Sequence, residues 1–305
     1  MTTSHYPWPG FADWLELIED RSAVLRSAAA ATVPGARVPG CPDWTVPDLV
    51  AHLGGVQRFW AAAVAAGPAP RPPRDDAVPD REPPAPGGPS AAAHGGPPPS
   101  VSPGGPAGPG VTDRLLDWSA RSTRVLLDAL RAAGPDAGCW TWWAGSGNPA
   151  TSGSVARHQV QEAAVHARDA QEAAGAPLPV PSAVAVDAVD EFLHVGFGSM
   201  DGWPHSPARV ALVADEGVAW TLLLDATGAS AVRSAPAGPM PPAGTAGPAG
   251  GVRRPARPSP VRRATCCWPS TGGCPGTRAP CAWTGTASWY GNWWSGPRSA
   301  EDVPS

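Results

Sequence analysis

Four stretches of the chain carry apolar residues at helical spacing, and a helix with a single apolar stripe cannot bury that stripe alone. In residues 11–32, Phe11, Trp14, Leu15, Ile18, Val24 and Leu25 recur, with Asp13, Glu16, Glu19 and Asp20 mostly between them. A second stretch follows the turn VPGCPDWTVPDL. There Thr45 reads as an N-cap with Asp48 three residues on, the acidic variant of a capping box. Pro47 fits the first helical turn, where a missing N–H costs nothing. This helix is predicted to run to about Ala66 and stop at Gly67-Pro68, with Leu49, His52, Leu53, Val56 and Trp60 on its inner face. A third helix is predicted over 112–133, with Leu115, Leu116, Trp118, Val125, Leu126 and Leu130 as core residues. A fourth runs from about Ser154 to Ala174, closed by Gly175. Packing the four stripes together gives a four-helix bundle.

The rest of the chain reads differently. A length of 305 residues suits two modest domains. Gly (36) and Pro (41) concentrate in two regions rather than spreading evenly. Residues 67–111 hold almost no large apolar side chains and no periodicity, which reads as a flexible Pro/Gly-rich insertion, longer than an ordinary bundle connection. From 182 the texture changes again. One more helix is expected at 183–197. Then ARVALVAD (208–215) and VAWTLLLD (218–225) alternate as strands, with Glu216-Gly217 as the hairpin turn. The expected architecture is therefore mainly α: a bundle over 1–178, then a smaller, incomplete α+β domain starting within 179–234.

Residues 235–305 are expected to be a disordered or frameshifted tail. They hold Cys266, Cys267, Cys274 and Cys281, but adjacent cysteines without a second C-x2-C pair fit zinc spacings poorly. Another reading explains more. Back-translated with GC-rich codons and read one base out of phase, ATCCWPSTGGCPG can give DLLLALYRRVPGD and WTGTASWYGNWWSG can give VDGDRELVRELVE, both with helical periodicity. Trp has a single codon, so several of these letters are forced. The absence of Lys and the single Ile, Ile18, point to the same GC-rich source. Resequencing the gene decides this reading. If it holds, the four tail cysteines have no chemistry and the protein is the product of a damaged gene.

Several function classes lose support. A net charge of -4 gives no electrostatic reason to expect nucleic acid or an anionic membrane as partner. No apolar run approaches the roughly 18 residues of a membrane span. With no leader recognisable in residues 1–10, a cytoplasmic location is expected, with the six cysteines reduced. GSGNPATSG (145–153) lacks the Lys of a phosphate loop, and no Ser-His-Asp order is evident.

The chemistry concentrates on the fourth helix, ARHQVQEAAVHARDAQEAAG. Glu162 and His166, four apart, are offset by about 40° around a helix axis and stand one turn apart on one face. Most such pairs are solvated neighbours. His52 strengthens the case, because it lies on the inward face of the second helix, although a lone histidine there is more often a hydrogen-bonded core residue. Two His and one Glu form a three-ligand set that leaves a metal coordination position open. His158, one turn before Glu162, competes as a ligand or is an exposed first-turn residue. Asp169 is a further ligand or, better, orients His166 from behind. Cys41 and Cys139 read as structural, and His5, His94, His194 and His205 have no identifiable partners.

VPGCPDWTVPDLVAHLGGVQRFW resembles the second-helix signature of the mycothiol-dependent maleylpyruvate isomerase family, within the DinB-like superfamily. EAAVHARDAQEAAG resembles the family's fourth-helix motif, usually HE-x3-HR-x-DA, and AVDAVDEFL with the following hairpin resembles the start of its C-terminal domain. The likeness covers residues 11–66 and 112–233. It implies a DinB-like four-helix bundle with His52, Glu162 and His166 as metal ligands. It also implies zinc or another divalent metal, mycothiol as cosubstrate, a small-molecule substrate and an actinobacterial source. The activity implied is that of an isomerase or thiol transferase using a zinc-activated thiolate. A non-catalytic metal-binding bundle, acting as a sensor or stress-response binding protein, is the rival expectation. Gln161 stands where the family usually has His, and Ala167 and Arg168 replace the residues usual after the second His.

Overall fold

The computed structural model describes residues 6–84, 111–200 and 202–234. They form two compact units, one of Trp8–Ala188 and one beginning at Val189.

The first unit is built on four long helices: α1 (Phe11–Ala30), α2 (Val46–Ala66), α3 (Asp113–Ala133) and α4 (Ser152–Ala173). Their starts are set by side chains that satisfy otherwise unpaired backbone donors. The predicted box at α2 is present: Thr45 N–H donates to Asp48 Oδ2 at 2.9 Å and Asp48 N–H to Thr45 Oγ1 at 3.5 Å. Thr112 caps α3 and Thr151 caps α4, so α4 begins two residues before the predicted Ser154. The segment before α2 is a short hairpin of β1 (Arg37–Val38) and β2 (Cys41–Thr45) rather than a plain turn.

α2 is buried over much of its surface. Across α2 and α3, Gly54 meets Trp118, Arg58 Nε donates to Ser122 Oγ at 2.8 Å and Thr123 Oγ1 donates to Gln57 Oε1 at 2.9 Å. One turn on from the Gly54–Trp118 contact, both partners are four residues further along at Arg58–Ser122, so the two helices run parallel. A parallel neighbour demands a return path along the whole helix, about 30 Å for one of this length. That is the physical reason for the long stretch between α2 and α3. The start of this path lies against the bundle. Val78 is buried, Arg58 Nη1 donates to the Pro79 carbonyl and Trp118 Nε1 to the Asp80 carbonyl, each at 2.9 Å.

On α3 the stripe expected from periodicity holds except at Val125, which is 37% exposed; Leu127 takes its place inside. α5 (Ser182–Glu191) follows, and Arg157 Nε of α4 donates to its Asp187 Oδ1 at 3.0 Å.

In the second unit the chain leaves α5 through one wide π-helical turn, Phe192–Gly196, and a 3-10 turn, Phe197–Ser199, where a continuous helix to 197 was expected. The predicted hairpin is β3 (Ala208–Val213) and β4 (Ala219–Asp225). A third strand, β5 (Gly228–Ser234), pairs antiparallel with β4, Leu222 standing between Val210 and Ala231. Asp190, fully buried, ties the layers together. It accepts from Trp220 Nε1 at 2.8 Å and pairs with the Arg233 guanidinium. Among the described residues no helix is long and apolar enough to cross a membrane. The expectations for residues 85–110 and 235–305 lie outside the described residues.

Candidate metal centre

α2 and α4 bring three donors together near the α4 C-terminal half. His52, two turns into α2, faces Glu162 and His166, one turn apart on α4, and one ligand atom from each lies within 4.8 Å of the others. His166 Nε2 is 3.4 Å and His52 Nε2 4.0 Å from Glu162 Oε2. Two ligands of a tetrahedral ion, each at about 2.0–2.1 Å, stand about 3.4 Å apart, which the His166–Glu162 pair matches; His52 stands somewhat further off, and the nitrogen–oxygen donor set suits a first-row divalent ion. Glu162 and His166 are buried, whereas the His52 side chain is 24% exposed, which leaves an approach from its side.

The neighbours hold these donors in place. His166 Nδ1 meets Asp169 Oδ2 at 3.1 Å, so Nδ1 carries a proton toward that carboxylate and Nε2 is directed toward Glu162. The β1–β2 turn is laid against Asp169 at Gly40; a Cβ there would lie 3.1 Å from Asp169 Oδ1. Trp44, the penultimate residue of β2, sets its ring 4.7 Å from His52 and 6.4 Å from His166. Sequence reasoning passed over Trp44, although its place in the hairpin before the His52 helix was a usable signal.

The charges are strongly coupled. Burial, helped by the neighbouring His166 charge, pushes His52 down to about 4. Burial works to raise the Glu162 carboxyl, but the His166 hydrogen bond and the surrounding imidazoles win and hold it at about 2. Burial likewise works to lower His166, but hydrogen bonds to Asp169 and Glu162 carry it up to about 9. Near neutral pH the three groups are therefore a neutral imidazole, a carboxylate and an imidazolium.

His158 is not the exposed first-turn residue that the sequence allowed. It is 3% exposed, ringed by Trp60, Trp142 and Trp143 with centroids 5.8, 5.9 and 5.1 Å away. Its Nε2 lies 4.0 Å from Glu162 Oε1, the oxygen opposite the one nearest His52 and His166. The other sequence candidates fall elsewhere. Cys41 and Cys139 are free and buried, and burial pushes their thiols up to about 12 and 11, in Cys41 with help from Asp169. His194 Nδ1 donates to the Asp190 carbonyl at 2.8 Å, and His205 packs on Trp203. Residues 144–146 form a short 3-10 turn. His5, His94 and the four tail cysteines lie outside the described residues.

Compared with known families, residues 15–171 match the one described as the mycothiol maleylpyruvate isomerase N-terminal domain, a span that includes His52, Glu162, His166, His158 and Asp169. No curated protein and no solved structure matches the chain.

Proposed function

Because the chain belongs to the mycothiol maleylpyruvate isomerase N-terminal domain family, we propose that His52, Glu162 and His166 hold a divalent metal ion, zinc foremost, in a mycothiol-dependent isomerase or thiol transferase acting on a small electrophile. The observation that carries this reading is the convergence of three nitrogen and oxygen donors from α2 and α4 within 4.8 Å. Such an ion supplies Lewis acidity that lowers the pKa of a thiol, so that a thiolate is present at neutral pH. The protein's own part is arrangement. Asp169 fixes the His166 ring, Glu162 sets the charge of the pocket, and the partly exposed His52 with Trp44 beside it marks the side from which a thiol and a flat conjugated substrate enter. The buried walls keep water from the reacting groups.

The test uses the zinc-loaded protein with maleylpyruvate, following loss of the cis isomer. Turnover that requires both zinc and mycothiol is expected. Stoichiometric zinc with no thiol-dependent turnover on maleylpyruvate or other electrophiles favours the rival reading, a non-catalytic metal-binding bundle. The observation on its side is Gln161, buried beside Glu162 where the family motif usually has a histidine.

The site also sets a pH signature. At neutral pH His52 and Glu162, which titrate at about 4 and about 2, are already in the states that bind metal, while His166, near 9, carries a proton that must leave. Zinc binding is expected to release one proton. Its apparent affinity rises about tenfold per pH unit between about 4 and about 9 and levels off above that; below about 4 the slope doubles as His52 protonates. Calorimetry at pH 7.5 in buffers of different ionisation heat counts the proton, and a count of zero shows that the metal-free centre holds no imidazolium at that pH.

A further inference from the structure

Glu162 presents its two oxygens to different surroundings. Oε2 faces His52 and His166, and Oε1 faces His158. His158 is enclosed by three indoles, and an apolar side chain would fill such a cage at lower cost than a buried imidazole, whose polar nitrogens must find partners. A histidine here therefore needs polar partners, and the Glu162 carboxylate is one of the groups that its Nε2 faces. The 4.0 Å between His158 Nε2 and Glu162 Oε1 is too long for a hydrogen bond, and a shift of about 1 Å closes it. Carboxylates that bind metal are themselves held by hydrogen bonds from behind, and losing such a partner costs about 10–100-fold in metal affinity.

We infer that His158 is a positioning residue for the metal centre: held by Trp60, Trp142 and Trp143, it fixes the Glu162 carboxylate through Oε1 so that Oε2 stays aimed between His52 and His166. The cage supplies the rigidity. His158 stands one turn before Glu162 on the same helix, so the Trp-rich turn at 140–143, by closing over α4, sets the carboxylate as well as the core. This inference rests on the proposed metal role of Glu162.

The experiment compares wild type with His158→Phe, His158→Leu and His158→Gln in the full chain, using zinc affinity by chelator competition and the visible spectrum of the cobalt-loaded protein. Phe keeps a flat ring in the cage without an N–H, Leu is the smaller apolar choice if Phe fails to fold, and Gln restores a donor. The expected result is a 10–100-fold loss of zinc affinity in Phe or Leu, a loss under about threefold in Gln, and unchanged cobalt band positions at saturation. Equal affinity in wild type and the folded apolar variant overturns the positioning role while leaving the three-ligand centre standing. A changed coordination spectrum overturns it in favour of direct ligation. A wild type that takes up no metal removes both readings.

Discussion

Replacing Glu162 by Gln is expected to leave a folded, metal-free protein. Gln keeps the volume of the buried side chain and removes its charge, so the helix packing of α4 survives while the oxygen shared by His52 and His166 loses its negative charge. The expected loss of zinc affinity is greater than about 100-fold, the upper end of what is lost when only a residue behind the ligands is removed. His52→Ala and His166→Ala are expected to do the same. Near-stoichiometric zinc in wild type, absent from all three variants after dialysis at equal thermal stability of the apo forms, is the supporting result. Glu162→Gln that binds zinc as tightly as wild type would end the three-ligand reading. His166 adds an internal check, because its affinity for a proton near 9 depends in part on Glu162. In Glu162→Gln without metal its titration should therefore move down, a shift visible by NMR.

The other large effect concerns two adjacent glycines of α2 with opposite expected signs. A Cβ at Gly54 would come 2.2 Å from a ring carbon of Trp118. The indole cannot retreat freely, since its N–H is bound to the Asp80 carbonyl and Arg58 lies over its face at 5.3 Å. Gly54→Ala is expected to cost about 3 kcal/mol, the overpacking penalty outweighing the gain of about 1 kcal/mol in helix propensity. At Gly55 a Cβ meets nothing within 4 Å. Gly55→Ala should therefore collect only the propensity, a gain of up to about 1 kcal/mol. Urea unfolding measures both. A Gly54→Ala variant as stable as wild type would show that α2 and α3 are not in the close contact described.

What the sequence made legible follows from how local each signal is. The Thr45–Asp48 box, Pro47 and the Gly67 stop are written within a few residues of one another, and they appear where expected. Glu162 and His166 share a face because of helical geometry alone, and the apolar neighbours of His52 put it on the inner side of α2. Partners were not legible. Periodicity gives the face of a helix but not its neighbour, so nothing in the spacing of Leu49, Leu53 and Val56 says that α3 runs parallel to α2. The burial of His158 depends on the turn carrying Trp142 and Trp143 folding back over α4, a tertiary event with no local mark. β5, GASAVRS, is poor in strand-forming residues and exists because β4 offers it a ladder. Val125 was misplaced because it sits at the border of the α3 stripe, where neighbouring residues decide.

The parallel course of α2 and α3 divides the bundle at the crossover. His52 belongs to the stretch before it, Glu162 and His166 to the stretch after it, and neither half carries the full donor set. The two halves meet through side chains that interlock: Gln57 with Thr123, Arg58 with Ser122, Gly54 beneath Trp118. The centre is thus a split element within one polypeptide, completed by complementation between the two stretches rather than by continuity of the backbone. Were it to hold the proposed ion, its occupancy would report whether they have found each other.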